Sequence, residues 1–220
     1  MLHAGGGGPT AALAGIPAGL QAQGVWAGRR QLFVRFAAEA ETATMYTADA
    51  LANEIKRSTA RSSFHSISIS GRDPLANVEY LCAAFDKIGD SLPAMLDCDG
   101  QRPNEIGMLN GVLTLVQVTL DGPMLESHAE RACQTLKVSS DAELQHALAI
   151  NVDERTTDAQ LLRTIERAHG ASDRTQIVVH PSAGTPLDRD RRWITLFERA
   201  GALHGDIRLV IRLPAPTGMR

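Results

Sequence analysis

Four polar turns in the sequence carry the residue types best suited to binding or catalysis. Each contains Gly or Pro and follows a stretch of strand-like residues; they are residues 70–74 (SGRDP), 97–100 (DCDG), 121–123 (DGP) and 180–184 (HPSAG). Asp97, Asp99 and Asp121 could together hold Mg²⁺ through their carboxylates, although aspartates at strand ends also cap helices. His180 could contact a ligand or serve only as a loop residue. The sequence therefore predicts a polar site built from strand ends.

The elements that position these turns alternate between strand and helix. Period-two or β-branched patterns predict strands over residues 31–36, 64–70, 94–97, 114–120, 176–180 and 207–213. Apolar residues three and four apart predict helices over residues 46–61, 74–88, 124–136, 140–150, 157–169 and 188–200. We interpret residues 140–143 (SDAE) as a capping box and Gly170 as a helix stop. The alternation predicts an α/β fold with a mostly parallel sheet and helices outside, as an open sheet or a partial barrel.

The predicted strand over residues 64–70 has two chemically different faces. Ser66, Ser68 and Ser70 share one of them, because successive side chains of a strand point to opposite sides. A face lined by serine suits a solvated or ligand-filled interior. Ligands of parallel α/β folds bind where strands end, so the same face indicates a pocket near the turns described above.

The composition favours one globular domain over residues 19–220, after a flexible Gly-rich lead-in over residues 1–18. Of the 220 residues, 44% are hydrophobic, which is enough to bury a sizeable core. The net charge of −3 comes without a long basic run, so nucleic acid is not an expected partner. No signal peptide or membrane span is expected either. The three cysteines form no CxxC pair, which indicates a reducing compartment and a cytoplasmic protein.

Several motifs resemble those of one enzyme family. Residues 20–24 (LQAQG) and 28–36 (GRRQLFVRF) are similar to the opening of the 7-carboxy-7-deazaguanine synthases, where a QGEG-like segment precedes a strand ending in F-V-R. Residues 70–74 stand at that family's GGEP turn, residues 97–100 at its T-N-G segment, and His180-Pro181 at its Q-P pair. The family belongs to the radical SAM superfamily. The resemblance spans about residues 20–220 and implies a partial (β/α)6 radical-SAM-like barrel.

The stretch over residues 33–47 (FVRFAAEAETATMYT) departs from this family at its cofactor site. The family places three cysteines there, whose thiolates hold an iron–sulfur cluster. Glu39, Ala43 and Tyr46 stand at those positions in this sequence. Its own cysteines are scattered outside the stretch, at Cys82, Cys98 and Cys133. The resemblance therefore implies a member of the fold that lacks the cluster, and we predict no cofactor, with Mg²⁺ as a possible exception.

The same resemblance supplies the candidates for ligand binding. They are Gln21, Gln23, Arg35, Ser70, Gly71, Arg72, Asp73, Asp99, His180 and Arg212. Gln23 stands where the family's glutamate contacts a pterin-like substrate, and Arg35 matches an arginine that faces the substrate carboxylate. Thr47 resembles the family's magnesium ligand and joins Asp97, Asp99 and Asp121 as a metal candidate, although it also suits a helix N-cap. Arg72 and Asp73 replace the second Gly and the Glu of the GGEP turn, so S-adenosylmethionine binding is not expected.

Two functional hypotheses follow from these departures. The first is a radical-SAM-fold protein that binds a pterin-like or deazapurine-like small molecule, or a partner protein, without radical chemistry. The alternative is a diverged enzyme that acts on such a heterocycle by acid–base or metal-assisted chemistry. The family's habit implies a homodimer, and a heteromer in which this chain supports another protein would fit the same departures.

Overall fold

The computed structural model describes residues 8–89, 92–182, 185, 187 and 191–212. Its strands are β1 (Thr10–Gly15), β2 (Ala18–Leu20), β3 (Arg30–Phe36), β4 (Thr44–Thr47), β5 (Ser66–Gly71), β6 (Ala94–Cys98), β7 (Leu115–Asp121), β8 (Gln145–Asn151), β9 (Gln176–His180) and β10 (Ile207–Leu209). Its α-helices are α1 (Ala48–Arg61), α2 (Val78–Ile88), α3 (Ala129–Asp141), α4 (Asp158–Ala171) and α5 (Arg191–Leu203). Short 3₁₀ helices cover Pro74–Asn77, Pro103–Leu109 and Gly122–Met124.

All ten described strands belong to one sheet, in the order β10-β9-β8-β7-β6-β5-β3-β1-β4, with β2 beside β3. Neighbours from β3 to β10 run parallel, which makes seven parallel strands, whereas β1, β2 and β4 pair antiparallel. Parallel neighbours require long crossover connections, and the α-helices lie in these connections. Since the parallel strands share one direction, the turns that follow them meet at a single edge of the sheet.

The two faces of the sheet are covered by different parts of the chain. On the outer face, buried side chains such as Leu96, Val116 and Leu148 join the main core with the helices. On the opposite face, here called the inner face, Met95, Leu115 and Ala147 pack against Val25 and Trp26. The segment that follows β2 therefore takes the place that a second layer of helices would hold in an open sheet.

The prediction of a flexible lead-in is wrong for residues 10–18. Thr10–Gly15 pairs with both β3 and β4, and Ala11 and Leu13 are buried in the core. Alternating side chains in TAALAG bury one face of β1, and this alternation gives the strand its stability despite the surrounding glycines. Residues 1–7 lie outside the described part of the chain.

The predicted helix over residues 140–150 is also wrong. Helix α3 continues to Asp141, Glu143 turns the chain with a φ of 58°, and Gln145–Asn151 forms strand β8 between β7 and β9. Residues 146–150 are buried on both faces, so they form an apolar run whose period does not distinguish a strand from a helix. This extra strand raises the parallel strands from the six predicted to seven.

The remaining elements match their predictions within a few residues, apart from details at helix ends. Helix α4 has a capping box at Thr157 and Gln160, and it passes through Gly170, which is not its stop. Residues 188–190 of one predicted helix and 213 of one predicted strand lie outside the described residues. No helix within the described ranges combines the length and the apolar character that crossing a membrane requires.

Candidate functional site

The carboxyl ends of the parallel strands present polar side chains on the inner face. Because side chains alternate along a strand, Asp97 lies on the same face as Met95, and Gln117, Thr119 and Asp121 lie on the same face as Leu115. Neighbouring strands continue the row with Ser70 on β5, Asn151 on β8 and His180 on β9. The predicted polar site therefore has its side chains along one edge of one face.

A cavity of about 320 Å³ opens at this edge, beside the ends of β5, β6 and β7. Its lining contains six of the predicted candidates, Ser70, Gly71, Arg72, Asp73, Asp97 and Asp99. Thr119 and Gln101 also line it. The turns after β5 and β6 thus form one pocket, as the parallel register of these two strands requires.

Backbone geometry fixes the turn that forms one wall of this cavity. Gly71 has a φ of 98°, and a Cβ added there would lie 2.2 Å from the carbonyl oxygen of Phe36. The Arg72 N–H donates to the same oxygen at 3.1 Å. Asp73 has a φ of 41°, and its carboxylate accepts from Arg102 Nε at 2.8 and 3.0 Å. The wall is therefore held by backbone contacts and by the ion pair between Asp73 and Arg102.

Asp97 is the carboxyl group at the centre of the site. It is half-buried and open to the cavity, and Thr119 Oγ1 donates to its Oδ1 at 2.6 Å. Burial raises the pKa of Asp97 above its ordinary value, while the hydrogen bond from Thr119 and the nearby amides of Gln117, Gln21 and Gln23 act in the opposite direction. Gln21 and Gln23 thus lie beside Asp97, as ligand-site candidates should.

A chain of hydrogen bonds extends from Asp97 along the strand ends. Gln23 Nε2 donates to Thr119 Oγ1 at 3.4 Å, and Gln23 Oε1 accepts from Asn151 Nδ2 at 3.0 Å. The same amide of Asn151 donates to Asp121 Oδ1 at 2.8 Å. Asp121 is exposed and does not line the cavity, so it is separated from Asp97 and Asp99 by these amides.

His180 connects the segment that follows β2, here called the inner segment, to the chain that follows β10. The Gly24 N–H donates to His180 Nε2 at 2.7 Å, and His180 Nδ1 lies 2.8 Å from the carbonyl oxygen of Val210. An Nε2 that accepts requires the neutral ring with its proton on Nδ1. Burial lowers the pKa of His180, the bond to Val210 raises it, and the nearby Arg212 lowers it further. His180 and Arg212 are therefore neighbours, outside the cavity lining.

Several buried polar atoms on the inner face have no hydrogen-bond partner among the described residues. They are Gln21 Nε2, Gln31 Oε1, Ser68 Oγ, Gln117 Nε2 and Asn151 Oδ1. Buried polar groups are nearly always paired, with protein, water or a ligand. Ser66, by contrast, accepts from Gln31 Nε2 at 2.8 Å. The unpaired atoms show that the inner face has hydrogen-bonding capacity left for a polar occupant.

Comparison with known proteins identifies the fold of the chain. No protein-family model and no curated protein sequence matches the chain. Among solved structures, QueE from Escherichia coli is similar with a TM-score of 0.55 and 15% sequence identity, over 93% of this chain and 95% of that chain. The chain has a QueE-like fold. This fold is the radical SAM partial barrel, so the predicted partial barrel with a mostly parallel sheet and flanking helices is confirmed.

The three residues that the resemblance places at cluster-ligand positions do not carry side chains that suit an iron–sulfur cluster. Glu39 forms an ion pair with Arg72 at 2.9 Å, and both side chains are exposed. Ala43 and Tyr46 supply a methyl group and a phenol. Thr47 ends β4, and its hydroxyl accepts from the Ala50 N–H as the N-cap of α1. None of these four residues offers the thiolate that such a cluster requires.

Arg35, which the resemblance places opposite a substrate carboxylate, pairs with a carboxylate of this chain. Its guanidinium lies 3.2 Å from Glu41, which also accepts from the Ala38 N–H at 3.1 Å. Arg35 and Arg72 thus hold the segment after β3 by two exposed ion pairs. Exposed pairs of this kind contribute only about 0–1 kcal/mol each, so the segment can yield to a ligand at little cost.

The cysteines of the chain do not replace the missing cluster ligands. Cys82 lies on α2, Cys98 ends β6 and Cys133 lies on α3. Burial raises the pKa of all three thiols, and that of Cys98 to about 12, which disfavours the thiolate. Within the described ranges, no three His, Cys, Asp or Glu side chains form a group that could hold a metal ion. Mg²⁺ binding at Thr47, Asp97, Asp99 and Asp121 stays an untested prediction.

We expect Cys98 to be nearly inert to alkylation in the native protein. Its raised pKa lowers the thiolate fraction tenfold per unit, so iodoacetamide should react about a thousandfold more slowly than in the urea-unfolded chain. Mass spectrometry of the peptides would give the rate for each cysteine. In a Cys98→Ala control, the rates of Cys82 and Cys133 should not change. Native and unfolded rates that agree for Cys98 would contradict its burial.

The site also contains residues that the sequence patterns did not identify. Gln117 and Thr119 lie four and two residues before the end of β7, on the face of Asp121. Gln117 could have been identified from the sequence as a glutamine inside an apolar strand, because a buried polar side chain needs a hydrogen-bond partner. Asn151 was missed because β8 was predicted as a helix. Gln101, which donates to Asp99 at 2.9 Å, follows the turn after β6, and no sequence motif marks it as a site residue.

Proposed function

We propose that this protein binds a pterin-like or deazapurine-like heterocycle and performs no radical chemistry. The observation that carries the proposal is the half-buried Asp97 carboxyl on the wall of a cavity of about 320 Å³ at the strand ends. Ligand sites of small molecules are concave and contain a few polar groups that fix orientation. The cavity has this character, and its volume is at the lower end for such sites, where pockets span about 300–1,000 Å³.

The chemistry of the Asp97 carboxyl favours a heterocycle with two adjacent N–H donors. Pterins and 7-deazaguanines present a ring N–H beside an exocyclic amino group, and a carboxylate can accept both in parallel. Such donors stabilise the charged form of a carboxyl whose pKa burial has raised. The hydroxyls of Ser70 and Thr119 line the same cavity and can bond further ring atoms.

The absence of radical chemistry is proposed from the donor set of the chain. The positions that correspond to cluster ligands carry a carboxylate, a methyl group and a phenol, at Glu39, Ala43 and Tyr46. Arg72, where the related turn has glycine, is engaged with Glu39. These two differences from the family are linked, because the ion pair joins the segment that corresponds to the cluster loop to the turn that corresponds to the family's GGEP turn.

We expect 7-deazaguanine and neopterin to bind and Asp97→Asn to weaken binding about thirtyfold, because one acceptor oxygen becomes an amide that faces a donor. Isothermal titration calorimetry measures the affinities. The matched ligand is 7-deazahypoxanthine, which lacks the amino group and should bind the original protein about as weakly as 7-deazaguanine binds the variant. The matched variant is Asp173→Asn, an exposed aspartate outside the cavity, which should leave the affinity unchanged.

Two results would overturn the binding proposal. One is equal affinity for 7-deazaguanine and 7-deazahypoxanthine, because Asp97 would then not accept a hydrogen bond from the amino group. The other is iron bound in stoichiometric amount after anaerobic reconstitution, together with reductive cleavage of S-adenosylmethionine, which would restore radical chemistry.

The raised pKa of Asp97 also favours the alternative function, an acid–base enzyme that acts on a related heterocycle. A carboxyl in a cavity with a raised pKa can exchange a proton with a bound ligand at a higher pH than an ordinary aspartate. Mass spectrometry of the bound heterocycle after long incubation distinguishes the two functions. An altered mass that requires Asp97 identifies an enzyme, and an unaltered ligand supports binding alone.

A further inference from the structure

The connection between β6 and β7 differs from the other crossovers of the parallel sheet. Each of the others contains one of the α-helices α1 to α5, with 11 to 14 residues. This connection contains only the 3₁₀ helix Pro103–Leu109, which packs between α2 and α3. A seven-residue 3₁₀ helix therefore stands between α2 and α3, where each of the other crossovers has an α-helix.

A groove of about 1170 Å³ occupies the space beside this short connection. It runs between α2 and the chain that leads into β7, and its apolar lining includes Cys82, Ala83, Phe85, Leu92, Met108 and Val112. Met108 is 53% exposed, although it adjoins this apolar surface. The groove is larger than most small-molecule pockets, which measure about 300–1,000 Å³, and it has the length of α2 along one side.

The charges along the groove have one sign. Glu79 and Asp86, two turns apart on α2, line it together with the apolar residues. No lysine, arginine or histidine occurs among its lining residues within the described ranges. An occupant whose apolar face is flanked by positive charge would complement both the lining and the carboxylates.

We propose that this groove binds an amphipathic α-helix of a partner protein, with a leucine-like apolar face flanked by lysine or arginine. The helical shape follows from the outer layer, where helices pack side by side and the occupant would lie along α2, beside the short 3₁₀ helix. The basic flank follows from Glu79 and Asp86. Helix-in-groove binding of this kind uses apolar anchors at positions i, i+3, i+4 and i+7.

The groove and the heterocycle site are separate. Pro93 and Thr114, which line the groove, precede β6 and β7, whereas the cavity lies where these strands end. The partner proposal therefore does not depend on the proposed function. Each can be tested while the other site stays intact.

The test uses a fluorescein-labelled peptide of about 18 residues, or five helical turns, with leucines on one face and lysines beside them. Fluorescence anisotropy measures its binding to the full chain. We expect Glu79→Lys/Asp86→Lys to weaken binding at least tenfold, and a peptide with glutamates in place of the lysines to bind at least tenfold more weakly. The matched control, Glu166→Lys/Glu198→Lys, makes the same charge change on exposed positions of α4 and α5 and should bind like the original protein.

Met108→Asp is a second variant that does not rely on charge pairing. It places a carboxylate on an exposed apolar position, so folding should persist while the apolar anchor contact is lost. Circular dichroism of each variant confirms the fold. Equal binding by the original protein and by both groove variants would overturn the proposal. A dimer of the original protein that dissociates in Glu79→Lys/Asp86→Lys would also overturn it, because a second copy would then cover the groove.

Discussion

Replacing Gly71 by alanine is expected to lower the free energy of unfolding by about 3 kcal/mol. The new Cβ would lie 2.2 Å from the carbonyl oxygen of Phe36, and the φ of 98° is unfavourable for any residue with a side chain. This clash cannot relax cheaply, because the carbonyl oxygen of Phe36 is a backbone atom of the adjacent parallel strand. Urea unfolding followed by circular dichroism gives the change in free energy.

The matched control for this variant is Gly170→Ala. Gly170 lies inside α4, and a Cβ added there meets no atom within 4 Å. Alanine is favoured over glycine inside a helix by about 0.5–1 kcal/mol, so this variant should be more stable than the original protein. If both variants changed stability by the same amount and sign, the tight turn after β5 would not exist as described.

Acidification from about pH 7.5 to about pH 5.5 is expected to destabilise the protein through two buried histidines. Burial lowers the pKa of both His146 and His180 below the ordinary 6.5. The unfolded chain then binds more protons than the folded chain as the pH falls through 6.5, so stability present above that value is lost below it. Each histidine can contribute at most about 1.4 kcal/mol per pH unit.

Burial makes protonation of both histidines costly, and the hydrogen bond that His180 Nε2 accepts adds to the cost. His180 Nε2 accepts from the Gly24 N–H, and His146 Nε2 lies 2.8 Å from Ser172 Oγ while its Nδ1 lies 2.9 Å from the Leu144 carbonyl. A proton on Nε2 of His180 would face another donor.

The measurement is urea unfolding at several pH values for the original protein and for His146→Gln/His180→Gln. Asp97 has a raised pKa and acts in the opposite direction in both proteins, so the difference between their pH profiles isolates the histidines. We expect the double variant to lose less stability on acidification. Parallel profiles would show that neither ring is held neutral in the folded protein.

The strand-end turns could be predicted from the sequence because their signals are local. Gly, Pro and Asp in SGRDP and DCDG mark the ends of two apolar strands, and these strands are neighbours in the sheet. Because these two strands are parallel neighbours, residues 70–73 and 97–99 must meet at the same edge of the sheet. The cavity that they share follows from the fold and required no knowledge of distant contacts.

The interior of the site could not be predicted from the sequence in the same way. Strand β8 is buried on both faces, so its apolar run lacks the period that identifies a strand. Gln21 and Gln23 precede the parallel sheet, yet they reach Asp97 because the segment after β2 folds across the inner face. No local pattern records a contact of this kind. The assignment of these glutamines came from the family resemblance alone.

The path of that inner segment also determines when the site can form during synthesis of the chain. Gly24 bonds to a residue 156 positions later, Gln23 to one 128 positions later, and Val25 to one 92 positions later. Closing such long loops is entropically costly and slow, so contacts within the parallel units form first. The inner segment emerges early from the ribosome but gains its partner His180 only when β9 has been made. We therefore expect the contacts between this segment and the strand ends to form late in folding.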